Sequence, residues 1–144
     1  MTHTFECKAT WKGGLDGSGT LSCSGLETQF SAPTELNGSG QGTNPEELLL
    51  AASSTCFLIT LSALLNRANT TARGLSLHSK IAADGSPSFS IKAIHHELKI
   101  SLDPRSTKEA FDKVKELTHQ VEQFCMVTRA LKPNVLFEVT SEFT

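Results

Sequence analysis

The chain has 144 residues with 13 basic and 15 acidic side chains, a formal net charge of −2, and no Lys/Arg cluster of the size that nucleic-acid binding requires. That length is one domain's worth, enough to bury roughly 70% of the unfolded surface, so a single domain over residues 1–144 is expected. Four cysteines are too few for a disulfide-stapled scaffold and the stretch MTHTFECKATWKGG holds no apolar signal core, so the expected setting is a reducing cytoplasm with no membrane.

Phe5–Trp11 and Gly19–Ser24 read as short strands flanking GGLDGSG, whose glycines and Asp16-Gly17 supply turn chemistry. Cys7 and Cys23 fall nearly symmetrically about that turn, which allows them to be neighbours; no role is assigned to them. Leu26–Phe30 is a third strand. Ser31–Gly42, rich in Gly, Asn and Pro, is a loop.

Gly42–Leu65 organises the rest of the chain. Asn44 before Pro45 gives an N-cap followed by proline at the first helical position, and Glu47 completes a capping-box pattern. Leu48–Leu65 carries no charge and is apolar on every side, which predicts a central buried helix, while its Ser and Thr residues argue against a membrane span. A helix of that kind in a chain that is only 38% hydrophobic calls for cover from a second copy, hence a homodimer. Cys56 sits mid-helix, either as an inert apolar thiol or as a reactive group in a made environment.

Gly74–Ala83 and Phe89–Leu102 read as a hairpin across Asp84-Gly85-Ser86-Pro87, with alternation at Leu75 and Leu77 and more weakly at Ile91 and Ala93. Asp103-Pro104 ends it. Ser106 with Glu109 offers a capping box for a helix to about Phe124, and Ala110, Val114, Leu117, Val121 and Phe124 form its apolar stripe. Cys125 follows at the end of that stripe, where it can face the core. Pro133 blocks further helix, and Val135–Phe143 is a last strand. The order predicts an α+β fold with a largely antiparallel sheet.

His95 and His96 are consecutive on a strand and face opposite sides, and His3, His78 and His119 lack ligand spacing, so no metal site is expected. GLDGSG lies in a hairpin rather than between strand and helix, so no nucleotide or other cofactor is expected either.

GTNPEELLLAASSTCF together with EQFCMVTRALKPNVLFEV resembles the OsmC/Ohr family, the osmotically inducible and organic hydroperoxide resistance proteins, over about Lys8–Phe143. FSAPTELNGSGQGTNPEELLLAASSTCF is similar to the hydroperoxide branch in particular. The resemblance implies largely antiparallel sheets wrapped around the central helix in an intertwined homodimer. It implies a thiol peroxidase in which Cys56 attacks an organic hydroperoxide and Cys125 closes a disulfide, recharged by a dithiol reductant for which a lipoyl-type dithiol is the candidate. Glu46 stands where the hydroperoxide branch keeps an active-site glutamate; on an unbroken helix it is ~15 Å of rise from Cys56, so their meeting needs a broken helix or a second subunit. An apolar pocket from Phe57, Leu15 and Phe124 suits an organic peroxide.

One departure stands against these matches. The branch carries an arginine in a GGRDG-like turn, and here the string is GGLDG, with Leu15 in its place; the OsmC branch's alternative, an arginine before the glycine-rich loop, is absent from Ser31–Glu35. Cys56 is then expected to be less ionised unless Lys12, Arg129 or another base substitutes. A non-catalytic or redox-sensing dimer stands as the second reading.

Overall fold

The computed structural model describes residues 1–85 and 88–144, and the chain forms two compact units, Met1–Leu49 and Leu50–Thr144. The expected turn residues Ser86 and Pro87 lie outside the described residues.

In the first unit, β1 (Lys8–Lys12), β2 (Ser18–Cys23) and β3 (Leu26–Phe30) form an antiparallel sheet in that order. The β1–β2 register pairs Lys8 with Ser22 and Lys12 with Ser18, so the turn lies within 13–17, as its glycines demand. A Cβ at Gly17 would lie 2.1 Å from the Lys12 carbonyl oxygen, so this close approach requires glycine. Trp11 packs on Phe30 with ring centroids 5.5 Å apart. The expected loop after β3 contains a short 3-10 turn, Thr34–Leu36, and folds back on β3: Thr43 N–H donates to Gln29 O and Ser31 N–H to Thr43 O, both at 2.9 Å.

Helix α1 spans Pro45–Arg67. Its start follows the sequence: Asn44 Oδ1 accepts from Glu47 N–H at 2.8 Å, with Pro45 at the position whose missing N–H costs nothing. The return half of the capping box is not made, because the Glu47 carboxylate accepts instead from Thr43 Oγ1 at 2.8 Å. Its end is a Schellman arrangement. Asn69 takes the left-handed φ of 51°, Thr70 N–H donates to Leu65 O and Asn69 N–H to Asn66 O.

The second unit pairs β4 (Gly74–Asp84) antiparallel with β5 (Ser90–Ser101), and β5 parallel with β6 (Leu136–Phe143). The sheets are thus largely antiparallel, with one parallel pairing, which the helices between β5 and β6 permit by returning the chain to the same end of the sheet. The register shifts at Ala82/Ala83, opposite Ala93 and Ile91. A shift of one residue moves alternation to the other face. The buried set of β5 is accordingly Ile94, His96, Leu98 and Ile100, and the weak alternation at Ile91 and Ala93 does not mark the core.

Helix α2 spans Lys108–Phe124 and buries Val114, Leu117, Thr118 and Val121. Its N-cap is Thr107, whose hydroxyl accepts from Ala110 N–H at 3.2 Å, rather than Ser106. Ser106 is drawn into the preceding turn, where its N–H donates to Asp103 O at 2.8 Å. A second short helix, α3 (Met126–Leu131), follows at once and was not expected. The core joins Phe57, Leu61, Leu64 and Leu65 of α1 to Leu98 and Ile100 of β5 and to Val114, Leu117, Val121 and Cys125.

Only one face of α1 is buried within the chain. Ala51, Ala52, Thr55, Ser62 and Ala63 are exposed and Ile59 is 70% exposed. By length and composition α1 is also apolar enough to cross a membrane.

A candidate thiol site

Cys56 lies one residue before the fully buried Phe57, so its side chain borders the core while staying part-exposed. Cys125 is placed by the break between α2 and α3. Its backbone is extended (φ −68°, ψ 115°), its N–H still donates to Val121 O at 2.8 Å, and its carbonyl accepts from Arg129 N–H at 3.0 Å. One residue therefore closes the first helix and opens the second, and its side chain is turned fully inward. The break is invisible in the hydrophobic pattern because MVTRAL carries no start signal of its own.

The two thiols meet. Cys125 Sγ donates to Cys56 Sγ at 3.0 Å, across 69 residues of sequence. Burial works to raise the Cys56 pKa, yet the Cys125 thiol, the Val127 and Met126 amides and the Thr60 hydroxyl outweigh it, and the net shift is downward. The Cys125 thiol moves up, through burial first and then through the hydrogen bond it gives to Cys56. One thiol of the pair is thus prepared to lose its proton while the other retains it, the division of labour that nucleophile and resolving thiol need.

This corrects the expectation that Cys56 needs a substitute cation. The groups that lower it are a thiol, two amides and a hydroxyl, and neither Lys12 nor Arg129 is among them. Arg129 is exposed and Lys12 lies exposed at the end of β1. Leu15 is 61% exposed in its turn and Phe124 51% exposed, so of the three expected pocket-lining side chains only Phe57 is buried. Glu46 occupies the first turn of α1, and its Oε2 is buried without a hydrogen-bond partner among the described residues.

Behind Phe57 lies a polar network that the sequence reading missed. His96 is fully buried, with Nε2 3.0 Å from Ser53 Oγ and Nδ1 2.7 Å from Ser79 Oγ. Ser54 Oγ lies 2.8 Å from Ser79 Oγ and 2.7 Å from Leu50 O. Phe57 packs against the imidazole at 5.1 Å between centroids. Burial, with the neighbouring His95 second, lowers the His96 pKa to about 4, so the ring is neutral and donates on one side while accepting on the other. Ser53 and Phe57 are both on α1, so the network fixes the rotation of the helix that carries Cys56. Its signal was the even-numbered alternation Ile94, His96, Leu98, Ile100. His95 points the other way, to Glu138 and Thr140 at 3.3 Å, so the two histidines do face opposite sides.

A family model described as OsmC-like protein matches residues 38–140. The uncharacterized protein YmaD of Bacillus subtilis (strain 168) is 34% identical over 134 residues, 92% of this chain and 89% of that protein. An organic hydroperoxide resistance protein of Xanthomonas axonopodis pv. citri (strain 306) is 30% identical over 134 residues, 91% of this chain and 89% of its own length. Among solved structures, an OsmC-like protein from Mycoplasma pneumoniae superposes with a TM-score of 0.79 at 17% identity, covering 100% of this chain and 99% of that one.

Proposed function

This chain belongs to the OsmC-like protein family, and from that membership we propose that it is a thiol-dependent peroxidase acting on organic hydroperoxides. The observation that carries the reading is the 3.0 Å approach of Cys125 Sγ to a Cys56 whose pKa is lowered. In the first step the Cys56 thiolate attacks the terminal oxygen of ROOH. The O–O bond breaks, Cys56 becomes a sulfenic acid and RO⁻ takes a proton to leave as ROH. In the second, Cys125 gives up its proton and its sulfur attacks Cys56 Sγ, forming the disulfide and releasing water. A dithiol, lipoyl-type in our reading, then reduces that disulfide by two exchange steps and is itself oxidised.

In this reading the hydrogen bond from Cys125, the amides at the start of α3 and Thr60 lower Cys56 without a cation, and the buried Glu46 Oε2 supports a role for that carboxylate. The second reading, a redox-sensing dimer without turnover, draws on the leucine at position 15. The deciding experiment follows consumption of cumene hydroperoxide with dihydrolipoamide as reductant. Wild type is expected to turn over repeatedly and Cys56→Ser to stay at background; a single stoichiometric disulfide with no further consumption would give the second reading instead.

We place the homodimer interface on the exposed face of α1. Small side chains at Ala51, Ala52, Thr55, Ser62 and Ala63 leave Ile59 as the one large apolar projection, a surface that lets a second helix approach closely. Light scattering is expected to return twice the 15.5 kDa chain mass, and a stable monomer at micromolar concentration would remove this assignment.

A further inference from the structure

We propose that Cys7 and Cys23 form a second thiol–disulfide exchange site, oxidised by low-molecular-weight disulfides and reopened by dithiols. The inference does not rest on the peroxidase reading, since it concerns different sulfurs and a different oxidant.

Continued one step beyond its last pair, Lys8–Ser22, the β1–β2 register brings Cys7 opposite Cys23. Opposed residues on antiparallel strands keep their Cβ atoms about 4.5–5.5 Å apart, at the upper edge of what a disulfide spans. The side chains turn toward each other, and Cys23 Sγ donates to Cys7 Sγ at 2.8 Å. Bond formation therefore needs only a small closing of the hairpin end, where no strand continues on the Cys7 side.

Access separates this pair from the buried one. Cys7 is exposed and Cys23 half-buried, and both border an open groove of about 750 Å³ formed by residues 4–8 and 22–24. That volume lies in the range of small-molecule sites. Thiol–disulfide exchange requires attacking, central and leaving sulfurs to meet at an unobstructed sulfur, which an exposed groove supplies and a closed core does not. The two thiols are also unequal. Cys23 holds its proton more tightly than an ordinary thiol, first through the hydrogen bond it gives to Cys7 and then through burial, leaving Cys7 as the entering nucleophile.

The steps balance with a small disulfide RSSR as oxidant. The Cys7 thiolate attacks one sulfur of RSSR, forming the Cys7–SR mixed disulfide and expelling RS⁻, which takes up the proton Cys7 gave to solvent. Cys23 then loses its proton and attacks Cys7 Sγ. The Cys7–Cys23 disulfide forms, the second RS⁻ leaves and is protonated, and two protein thiols have been oxidised as one RSSR is reduced to two RSH. A dithiol reverses the sequence.

The test uses the full chain carrying Cys56→Ser and Cys125→Ser, incubated with oxidised glutathione as the probe. Both remaining protein thiols are expected to disappear, glutathione thiol to be released in equal amount, and dithiothreitol to restore the protein thiols. Adding Cys23→Ser is expected to halt the reaction at a glutathione adduct on Cys7. If the core substitutions prevent folding, differential alkylation and peptide mapping of the wild-type chain gives the same reading of Cys7 and Cys23. Unchanged thiols, a persistent adduct in the chain that retains both cysteines, or cross-linking between copies instead of an internal bond would each overturn the proposal.

Discussion

The core and surface cysteine pairs reach nearly the same separation, 3.0 and 2.8 Å, by opposite routes. Cys7 and Cys23 lie 16 residues apart and are matched by the register of one hairpin, whereas Cys56 and Cys125 lie 69 apart and meet only when α1, α2 and α3 pack on one core. The surroundings then divide their chemistry. In the core the hydrogen bond from Cys125, two amides and Thr60 lower Cys56 against burial; at the surface the chief influence on Cys23 is the hydrogen bond it gives to Cys7, and it raises. Nearness makes a disulfide feasible in both, but only the environment selects the partner that each pair answers to.

The largest expected effect that would sharpen this contrast comes from the core sulfurs. Cys56→Ser should reduce peroxide consumption to background, and Cys125→Ser should allow one turnover before Cys56 proceeds to sulfinic acid, read by mass spectrometry. The Cys7→Ser, Cys23→Ser double variant should consume peroxide within about twofold of wild type, as expected for independent sites. A large loss in that variant would merge the two pairs into one pathway.

The next effect is on the platform beneath the core pair. His96→Ala leaves Ser53 and Ser79 without their shared partner and opens a cavity, and should cost about 2–5 kcal/mol in chemical denaturation. In the wild-type chain the folded pKa of about 4 lies below the ordinary 6.5, so the unfolded state binds a proton first as pH falls. The stability contributed by a neutral His96 is therefore complete above about pH 6.5 and falls by about 3 kcal/mol on descending to pH 4, then levels off. An acid profile that did not change in the His96→Ala chain would place the network outside the energetics of folding.

A smaller effect is kinetic. In a pH series of alkylation with peptide mapping, Cys56 should react with a midpoint below that of an ordinary thiol and Cys23 above it. A reversed order would break the comparison at its root.

These features were unequally legible in the sequence. The start of α1 could be read because Asn44, Pro45 and Glu47 act within one turn, and the Cys7–Cys23 proximity followed from symmetry about a glycine turn. Cys56 and Cys125 were joined through family resemblance, since no local rule links residues so far apart. The α2–α3 break was hidden because Cys125 serves both as the C-cap of one helix and the N-cap of the next, with no proline or glycine to announce it. His96 was hidden by the register shift at Ala82/Ala83, which resets the alternation between Ile91 and Ala93, near the start of β5. The departure at Leu15 was legible, but the groups that lower Cys56 without a cation were less so, because the two amides among them belong to the backbone and leave no trace in side-chain identity.

The smallest expected effect tests the departure at Leu15. With Cys56 already lowered, Leu15→Arg should shift the Cys56 alkylation midpoint by less than the 1–3 units typical of a new adjacent charge. A full shift accompanied by a large gain in peroxide rate would restore the cation to the leading role.

The parallel pairing of β6 with β5 also constrains how the protein is made. Residues 136–143 are synthesised after the other strands of this sheet, and until they dock, β5 has a bare edge and Val139 and Phe143 do not yet cover the core. Cys125 has been synthesised by then, so for that interval both core thiols exist without the packing that holds them together, and long-range pairing of this kind is slow to form. A premature oxidant would meet two unprotected cysteines rather than a packed pair, and on the function proposed above the docking of β6 is therefore the point after which peroxide becomes a substrate instead of a hazard.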